Sequence, residues 1–180
     1  LAEILVRSSN IGSAHISQLI GSETQKNYMK QLGLLSASPL EIVENGVPLV
    51  PQNWSHITTM TVSYGYGLSV SMVQAAAAIA AAGGDGHYIA PTLLRRNANE
   101  PIEKLRIFST ETSMAVRSMM RLVVSNKIGT GNFADAAGYL VGGKTGTAEK
   151  VEDKGFNRKA NRVSFVATFP ANDPAYLIMM

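Results

Sequence analysis

The segment Gly142–Glu149, with the sequence GGKTGTAE, concentrates residues that are suited to holding an anion. Lys144 supplies a positive charge, and Thr145 and Thr147 supply hydroxyl groups that can donate to a carboxylate or an oxyanion. The glycines among them let a backbone come close to a ligand. These residue types, placed side by side after the apolar triplet Tyr139–Val141, predict an anion-recognising segment.

A nucleotide site is one function that uses such a segment. The phosphate-loop pattern G-x-x-x-x-G-K-[ST] is matched by Gly138, Gly143, Lys144 and Thr145. That loop needs a buried strand before its first glycine and a helix that opens at the lysine. Residues 132–137 do not have the pattern of a buried strand, and a Thr-Gly-Thr sequence after the lysine disfavours a helix. The residues favour instead a strand from Tyr139 to Lys150, with glycines where something approaches its backbone.

Composition indicates an ordinary globular chain. Its 180 residues suit one domain or most of one, and an apolar content of 46% argues against disorder. There are no cysteines, and the three histidines lack ligand spacing, so we predict no metal site and no cofactor. The net charge of +3 lies in Lys150–Arg162, which we interpret as a solvated loop between strands and not as a nucleic-acid surface.

Helical spacing and capping signals predict helices in the first two thirds of the chain. They are the end of a helix at Leu1–Arg7, helices at Ile11–Ile20 and from a capping box at Ser22 to Gly33, a buried helix at Met72–Ala82 with a serine cap, and a helix from Ser109 or Thr110 to about Asn126. In the last helix, Met119, Leu122 and Val123 are predicted to face the core, and Arg117 and Arg121 the solvent. Between the helices we expect a connection at Leu34–Ser55, anchored by a buried Trp54, and a glycine-broken turn at Ser63–Ser71.

Three strands are predicted after the helices. Tyr139–Lys150, Val163–Phe169 and Ala175–Met180 are joined by a loop and by a turn with two prolines, which is typical of an antiparallel meander. Because helices come first and strands last, the pattern favours an α+β fold over an alternating α/β fold.

Two short motifs at opposite ends of the chain identify a family. An S-x-N triplet, Ser8-Ser9-Asn10, lies far upstream of the strand motif Lys144-Thr145-Gly146, and Trp54-Ser55 and the tyrosine-glycine turn Ser63–Leu68 lie between them. With this set, the whole chain resembles the transpeptidase domain of a class B penicillin-binding protein, most closely the division-specific septal type. The resemblance implies a fold shared with the serine β-lactamases, in which helices flank an antiparallel sheet beside an all-helical region.

The third motif of that family, S-x-x-K, supplies the nucleophilic serine, and it is missing here. No serine of the chain has a lysine three residues later. In the family this motif precedes S-x-N, so the resemblance implies that residues 1–180 are the C-terminal part of a transpeptidase domain. We expect the upstream S-x-x-K segment and the end of the last strand to be lacking. A degenerate, non-catalytic relative is the alternative.

The resemblance also implies an activity and its partners. The complete protein is expected to cross-link peptidoglycan stem peptides that end in D-Ala-D-Ala, through a serine acyl-enzyme, and to be acylated by β-lactams. Cell-division and glycosyltransferase proteins are the expected protein partners. The expected location is the periplasmic face of the cytoplasmic membrane, held there by an N-terminal anchor outside these residues. A D,D-carboxypeptidase, a β-lactamase and a non-enzymatic β-lactam sensor remain alternatives on the same fold.

The family's functional residues carry over onto six positions. By resemblance, Ser8 relays a proton to the leaving amine, Asn10 binds the substrate backbone, Lys144 polarises the site and contacts Ser8, and the hydroxyls of Thr145 and Thr147 hold the terminal carboxylate. The backbone N–H of Thr147 is expected to be one oxyanion-hole donor, and Gly146 to let the strand lie against the ligand.

Overall fold

The computed structural model describes residues 1–97, 99–152 and 155–180, and for residues 149–160 the backbone only. The helices are α1 (Ala2–Val6), α2 (Asn10–Ile20), α3 (Ser22–Gln31), α4 (His56–Ser63), α5 (Met72–Gly83) and α6 (Thr110–Ser125); the strands are β1 (His87–Tyr88), β2 (Leu105–Arg106), β3 (Gly142–Glu152), β4 (Gly155–Phe169) and β5 (Tyr176–Met179). Helices precede the main sheet, which confirms the predicted α+β class. No helix in the described part of the chain is long and apolar enough to cross a membrane.

The chain forms two compact units, one of which contains the main sheet. This sheet unit comprises Leu1–Ser9 and Arg117–Met180. Its strands are all antiparallel in the order β3-β4-β5, which confirms the predicted meander. Val124, Val141 and Ala167 form a buried cluster between the second half of α6 and the sheet. The core therefore lies behind β3, the strand that carries the lysine-threonine-glycine motif.

The second unit, Asn10–Val116, is mostly helical and is held together by buried glutamines. Gln25 of α3 donates to the carbonyl of Thr59 in α4 at 3.0 Å and accepts from the indole of Trp54 at 3.1 Å. Gln74 of α5 donates to the carbonyls of Gly33 and Ser36. Burying an amide is favourable only when its hydrogen bonds are made. Trp54 is thus an anchor as predicted, although it is half-buried instead of fully buried.

Three features of the helical unit correct the sequence predictions. Helix α3 begins at Ser22 without any side-chain cap, so the capping box expected there is wrong; a capping box is found at Ser71 and Gln74 instead. Helix α4, capped by Ser55, occupies a segment in which no helix was predicted, because its many β-branched residues weaken the helical signal. Helix α5 is not buried all round, because Met72 and Val73 are exposed whereas Ala78 and Ala81 are buried.

The sheet unit differs from the sequence predictions at the end of α6 and at the strand boundaries. The core side of α6 carries Met120, Val123 and Val124, whereas Leu122 is exposed. Arg121, predicted to face solvent, donates at 2.8 Å to the carbonyl of Val141 just ahead of β3. Strand β3 begins at Gly142 and not at Tyr139, because Leu140 takes a left-handed backbone conformation (φ 49°). The charged segment 150–162 lies mainly in β3 and β4 and is not the predicted loop.

Gly143 is packed so tightly that a single added methyl group should disturb the sheet. A Cβ atom at this position would lie 2.5 Å from Cζ of Phe165 and 2.7 Å from the carbonyl oxygen of Val166. Because the second of these atoms is backbone, the clash cannot be relieved by a side-chain rotation alone. We expect Gly143→Ala to lower the stability of the full-length protein by about 1–3 kcal/mol, measured by thermal unfolding. Gly46→Ala is the matched control, since a Cβ there meets nothing within 4 Å; equal unfolding midpoints for the two variants would contradict the packing argument.

Candidate active site

Ser8 follows α1 in a conformation that few residues other than glycine adopt. Its N–H donates to the carbonyl of Leu5 at 3.2 Å, and the N–H of Ser9 donates to Ile4 at 2.9 Å, so the helix ends in a hydrogen-bonded turn. The φ angle of Ser8 is 52°, in the left-handed region. Non-glycine residues with such angles are uncommon and are concentrated at functional sites. The turn leaves Ser8 exposed.

Lys144 is the partner of Ser8. Its Nζ atom donates to Oγ of Ser8 at 2.7 Å, although the two residues are 136 positions apart. The same ammonium donates to the backbone carbonyl of Thr145 at 2.7 Å, which fixes the direction of the lysine side chain. The fold therefore brings Ser8, the first residue of S-x-N, into contact with the lysine of K-T-G.

Burial lowers the pKa of Lys144 below the ordinary lysine value of 10.5. The cause is desolvation, since a half-buried ammonium loses part of the water that stabilises its charge. A lysine with a lowered pKa gives up its proton more readily, and it is hydrogen-bonded to a hydroxyl that can both donate and accept. The pair can accordingly move a proton between the lysine, the serine hydroxyl and a bound ligand.

The backbone groups of Thr145 and Thr147 point away from β4. Phe165 in β4 exchanges both of its backbone hydrogen bonds with Met180, at 2.9 and 3.0 Å, so its N–H and C=O face β5. Residues of an antiparallel pair alternate between bonded and non-bonded positions, so Phe165 and Val163 are not bonded to the residues opposite them, Thr145 and Thr147. In the described residues β3 lies at the edge of its sheet. Thr145 and Thr147 thus direct their N–H and C=O groups toward the open edge.

The side chains of β3 divide between two faces of the sheet. Thr145 and Thr147 are two residues apart and project from the same face, while Lys144 and Gly146 belong to the other. Thr147 is exposed, and Thr145 is half-buried and donates to the hydroxyl of Thr130 at 2.7 Å. A Cβ at Gly146 would lie 2.5 Å from Oγ of Ser164. Packing against β4 therefore favours glycine at this position, and its predicted approach to a ligand remains a prediction.

Asn10, the third residue of the S-x-N triplet, is exposed and is the first residue of α2. Its substrate-binding role remains a prediction, as do the catalytic and binding roles of the other five predicted residues. Sequence reasoning missed Thr130, whose hydroxyl contacts Thr145 in β3, and Arg121, which donates to the carbonyl of Val141 just before β3. Thr130 lies between two glycines, and that spacing is the only signal that could have drawn attention to it.

The nucleotide interpretation is not compatible with this local structure. Lys144 lies inside strand β3, where it pairs with Val166 of β4, and no helix begins at it. A phosphate loop needs that helix, because its N-terminal amides bind the phosphates. Among the described residues, no group of three or more histidines and carboxylates is placed to hold a metal ion.

Comparison with known families and proteins gives matches along the whole chain. The family model described as "Penicillin binding protein transpeptidase domain" matches residues 1–180. A probable peptidoglycan D,D-transpeptidase FtsI of Caulobacter vibrioides is 34% identical over 177 residues, covering 97% of this chain and 30% of that protein. Stage V sporulation protein D of Bacillus subtilis is 30% identical over 188 residues, covering 98% of this chain and 29% of that protein.

Solved structures show the same similarity in three dimensions. The apo TP domain of penicillin-binding protein 3 from Burkholderia pseudomallei superimposes with a TM-score of 0.91 at 34% identity, over 99% of this chain and 54% of that one. Penicillin-binding protein 3 from Mycobacterium tuberculosis, complexed with aztreonam, gives a TM-score of 0.90 at 26% identity, over 99% and 44% of the two chains. The chain spans about a third of the curated relatives and about half of the solved chains that it matches.

Proposed function

The chain belongs to the penicillin-binding-protein transpeptidase family, and from this premise we propose that it is part of a serine D,D-transpeptidase. The complete protein would cross-link peptidoglycan stem peptides ending in D-Ala-D-Ala during septum formation, and β-lactams would acylate it. The septal assignment depends on the resemblance to the division-specific type. The nucleophilic serine would lie outside these residues, in the S-x-x-K segment.

The proposed reaction has two acyl-transfer steps. The serine oxygen attacks the carbonyl carbon of the penultimate D-alanine, the C–N bond to the last D-alanine breaks, and that amine leaves with a proton delivered through Ser8. An amine of a neighbouring stem peptide then attacks the serine ester; the ester C–O bond breaks, the cross-linking amide forms, and a proton from that amine restores the serine hydroxyl. Covalent catalysis replaces one difficult amide exchange by two easier steps. Lys144 holds the Ser8 hydroxyl in place and supplies a positive charge to the site.

The observation that carries this proposal is the 2.7 Å hydrogen bond between Lys144 and Ser8 beside the open edge of β3. An extended peptide can bind such an edge by adding a strand, so that its backbone pairs with groups turned away from β4. Thr147 would then direct its N–H toward the carbonyl oxygen that becomes negatively charged, and its hydroxyl, with that of Thr145, toward the terminal carboxylate. Asn10 would bind the peptide backbone of the substrate.

Further partners and the location belong to the same proposal. Two solved relatives are described as complexed with aztreonam and with ampicillin, which supports β-lactams as ligands of this chain. Cell-division and glycosyltransferase proteins are proposed as protein partners by resemblance alone. We place the site on the extracytoplasmic face of the cytoplasmic membrane, with the anchor outside these residues; protease accessibility in intact spheroplasts would test that placement.

The test of the proposal is covalent labelling with a fluorescent penicillin. The full-length protein is expected to form an adduct that survives denaturing electrophoresis and is lost when the serine of its S-x-x-K motif is replaced by alanine. The 180-residue chain alone is expected to remain unlabelled. Stable labelling of that chain would show that the nucleophile has been assigned to the wrong segment.

Turnover assays separate the proposed function from its alternatives. Incubation of the full-length protein, in the form that reacts with penicillin, with a donor pentapeptide and an acceptor amine should give a cross-linked product. Release of D-alanine without cross-linking would identify a carboxypeptidase, and rapid β-lactam hydrolysis a β-lactamase. Acylation without peptide turnover would identify a sensor.

The lowered pKa of Lys144 predicts the alkaline side of the pH profile. If the ammonium form is the active one, β-lactam acylation should decline as pH rises through the lysine pKa, with a midpoint below 10.5. In Lys144→Arg that decline should be absent or moved upward, because arginine stays protonated. Acylation rate constants measured between pH 6 and about 11 would check this. An unchanged alkaline midpoint in the arginine variant would assign the titration to another group.

A further inference from the structure

Thr130 lies in a turn that is fixed from two sides. Its N–H donates to the carbonyl of Val6, at the end of α1, at 3.4 Å, and the next residue, Gly131, donates to Val123 of α6 at 3.2 Å. A Cβ at Gly129 would lie 2.1 Å from the carbonyl oxygen of Val123, and one at Gly131 would lie 3.2 Å from the ring of Phe165. The turn therefore requires glycine at position 129 and leaves little room for a side chain at position 131.

The hydroxyl of Thr130 meets the hydroxyl of Thr145, with 2.7 Å between the two oxygens. In the structure Thr145 donates and Thr130 accepts. A hydroxyl carries one proton and two lone pairs, so Thr145 cannot donate to Thr130 and to a carboxylate with the same proton. To bind an anion, Thr145 must turn its O–H toward the ligand, and its oxygen can then accept a hydrogen bond from the hydroxyl of Thr130.

We propose that Thr130 is a positioning residue for anion recognition, which supplies the Thr145 hydroxyl with a donor when a ligand carboxylate binds. The exchange needs a rotation of the Thr130 side chain as well as of the Thr145 hydroxyl, and no covalent bond breaks. Thr130 then donates to Thr145, and Thr145 donates to the carboxylate, so that each oxygen keeps a partner. A donor that is itself hydrogen-bonded is also polarised and binds an anion more strongly. This inference rests on the proposed function, since it needs a carboxylate ligand at β3.

The experiment compares Thr130→Val with Thr130→Ser in the full-length protein. Valine keeps the size of the side chain and the N–H bond to Val6 but removes the hydroxyl, whereas serine keeps the hydroxyl. Stopped-flow acylation by benzylpenicillin separates the dissociation constant of the initial complex from the acylation rate constant. We expect Thr130→Val to raise the dissociation constant about threefold, because the Thr145 hydroxyl loses the donor that polarises its bond to the carboxylate, and to leave the acylation rate constant unchanged. Thr130→Ser should restore the dissociation constant to near the wild-type value.

Several outcomes would overturn the inference. A dissociation constant unchanged in Thr130→Val, or raised equally in Thr130→Ser, would show that the hydroxyl has no part in binding. A loss confined to the acylation rate constant would contradict a role in carboxylate recognition. Thr24→Val, at an exposed position of α3, controls for replacing a threonine by valine. A wild-type protein that benzylpenicillin does not acylate would refute the proposed function, and this inference with it.

Discussion

Replacing Lys144 by alanine in the full-length protein is expected to lower the second-order rate constant of β-lactam acylation by about 10²–10⁴-fold, the range for loss of a proton-transfer group. The variant removes the ammonium that lies 2.7 Å from Oγ of Ser8, and with it the positive charge beside the open edge of β3. The Ser8 hydroxyl then has no fixed orientation toward a leaving group. Stopped-flow acylation with a chromogenic β-lactam measures the effect directly.

Lys127→Ala is the matched control for this substitution. Lys127 is an exposed lysine of the same sheet unit, in the turn after α6, so its removal changes the net charge equally without touching Ser8. Its acylation rate constant should stay within about twofold of the wild-type value, since isolated surface charges contribute little. A rate constant for Lys144→Ala as high as that of Lys127→Ala would contradict the role given to Lys144.

Replacing Thr147 by proline is expected to lower the same rate constant by about 10²–10³-fold, the effect of removing one oxyanion-hole donor. Proline removes the N–H that the alternation of β3 turns toward the open edge, and it removes the hydroxyl as well. Because that N–H takes no part in the pairing with β4, proline is compatible with the sheet at this edge position. The unfolding midpoint of the variant should therefore change by only a few degrees, since about 1 kcal/mol corresponds to such a shift.

Thr147→Val separates the two groups that proline removes. Valine deletes the hydroxyl and retains the backbone N–H, so we expect a loss of about tenfold, as for one hydrogen bond to a carboxylate. The difference between the two variants measures the contribution of the N–H to the acylation rate. Equal rate constants for Thr147→Pro and Thr147→Val would show that this N–H does not stabilise the oxyanion.

The parts of the fold that could be predicted are those with strong local signals. Serine before an apolar run marks the beginning of α5 and α6, and alternating apolar residues with a proline turn mark β4 and β5. Helix α4 was missed because threonines and valine dominate its sequence. The inward position of Arg121 was missed because a charged residue on a helix is expected to face water, whereas here the carbonyl of Val141 offers it a partner.

The candidate site was predictable only as a list of motif residues. The spacing between Ser8 and Lys144 carries no distance information, and their contact exists because the turn after α1 and the strand β3 belong to one unit. The orientation of the Thr147 N–H depends on which residues of β4 face β5, and that is a property of strand pairing, not of composition. Thr130 could not be predicted as a residue of the site, because a threonine between glycines is typical of any turn.

The left-handed backbone of Ser8 has a consequence for attempts to engineer this protein. A non-glycine residue in that conformation costs about 1–2 kcal/mol, which glycine would not. A screen that selects variants for thermal stability or soluble expression should therefore enrich glycine at position 8, although that change deletes the hydroxyl which Lys144 holds. Stability and activity are opposed at this single residue, so stabilised libraries should keep Ser8 unchanged.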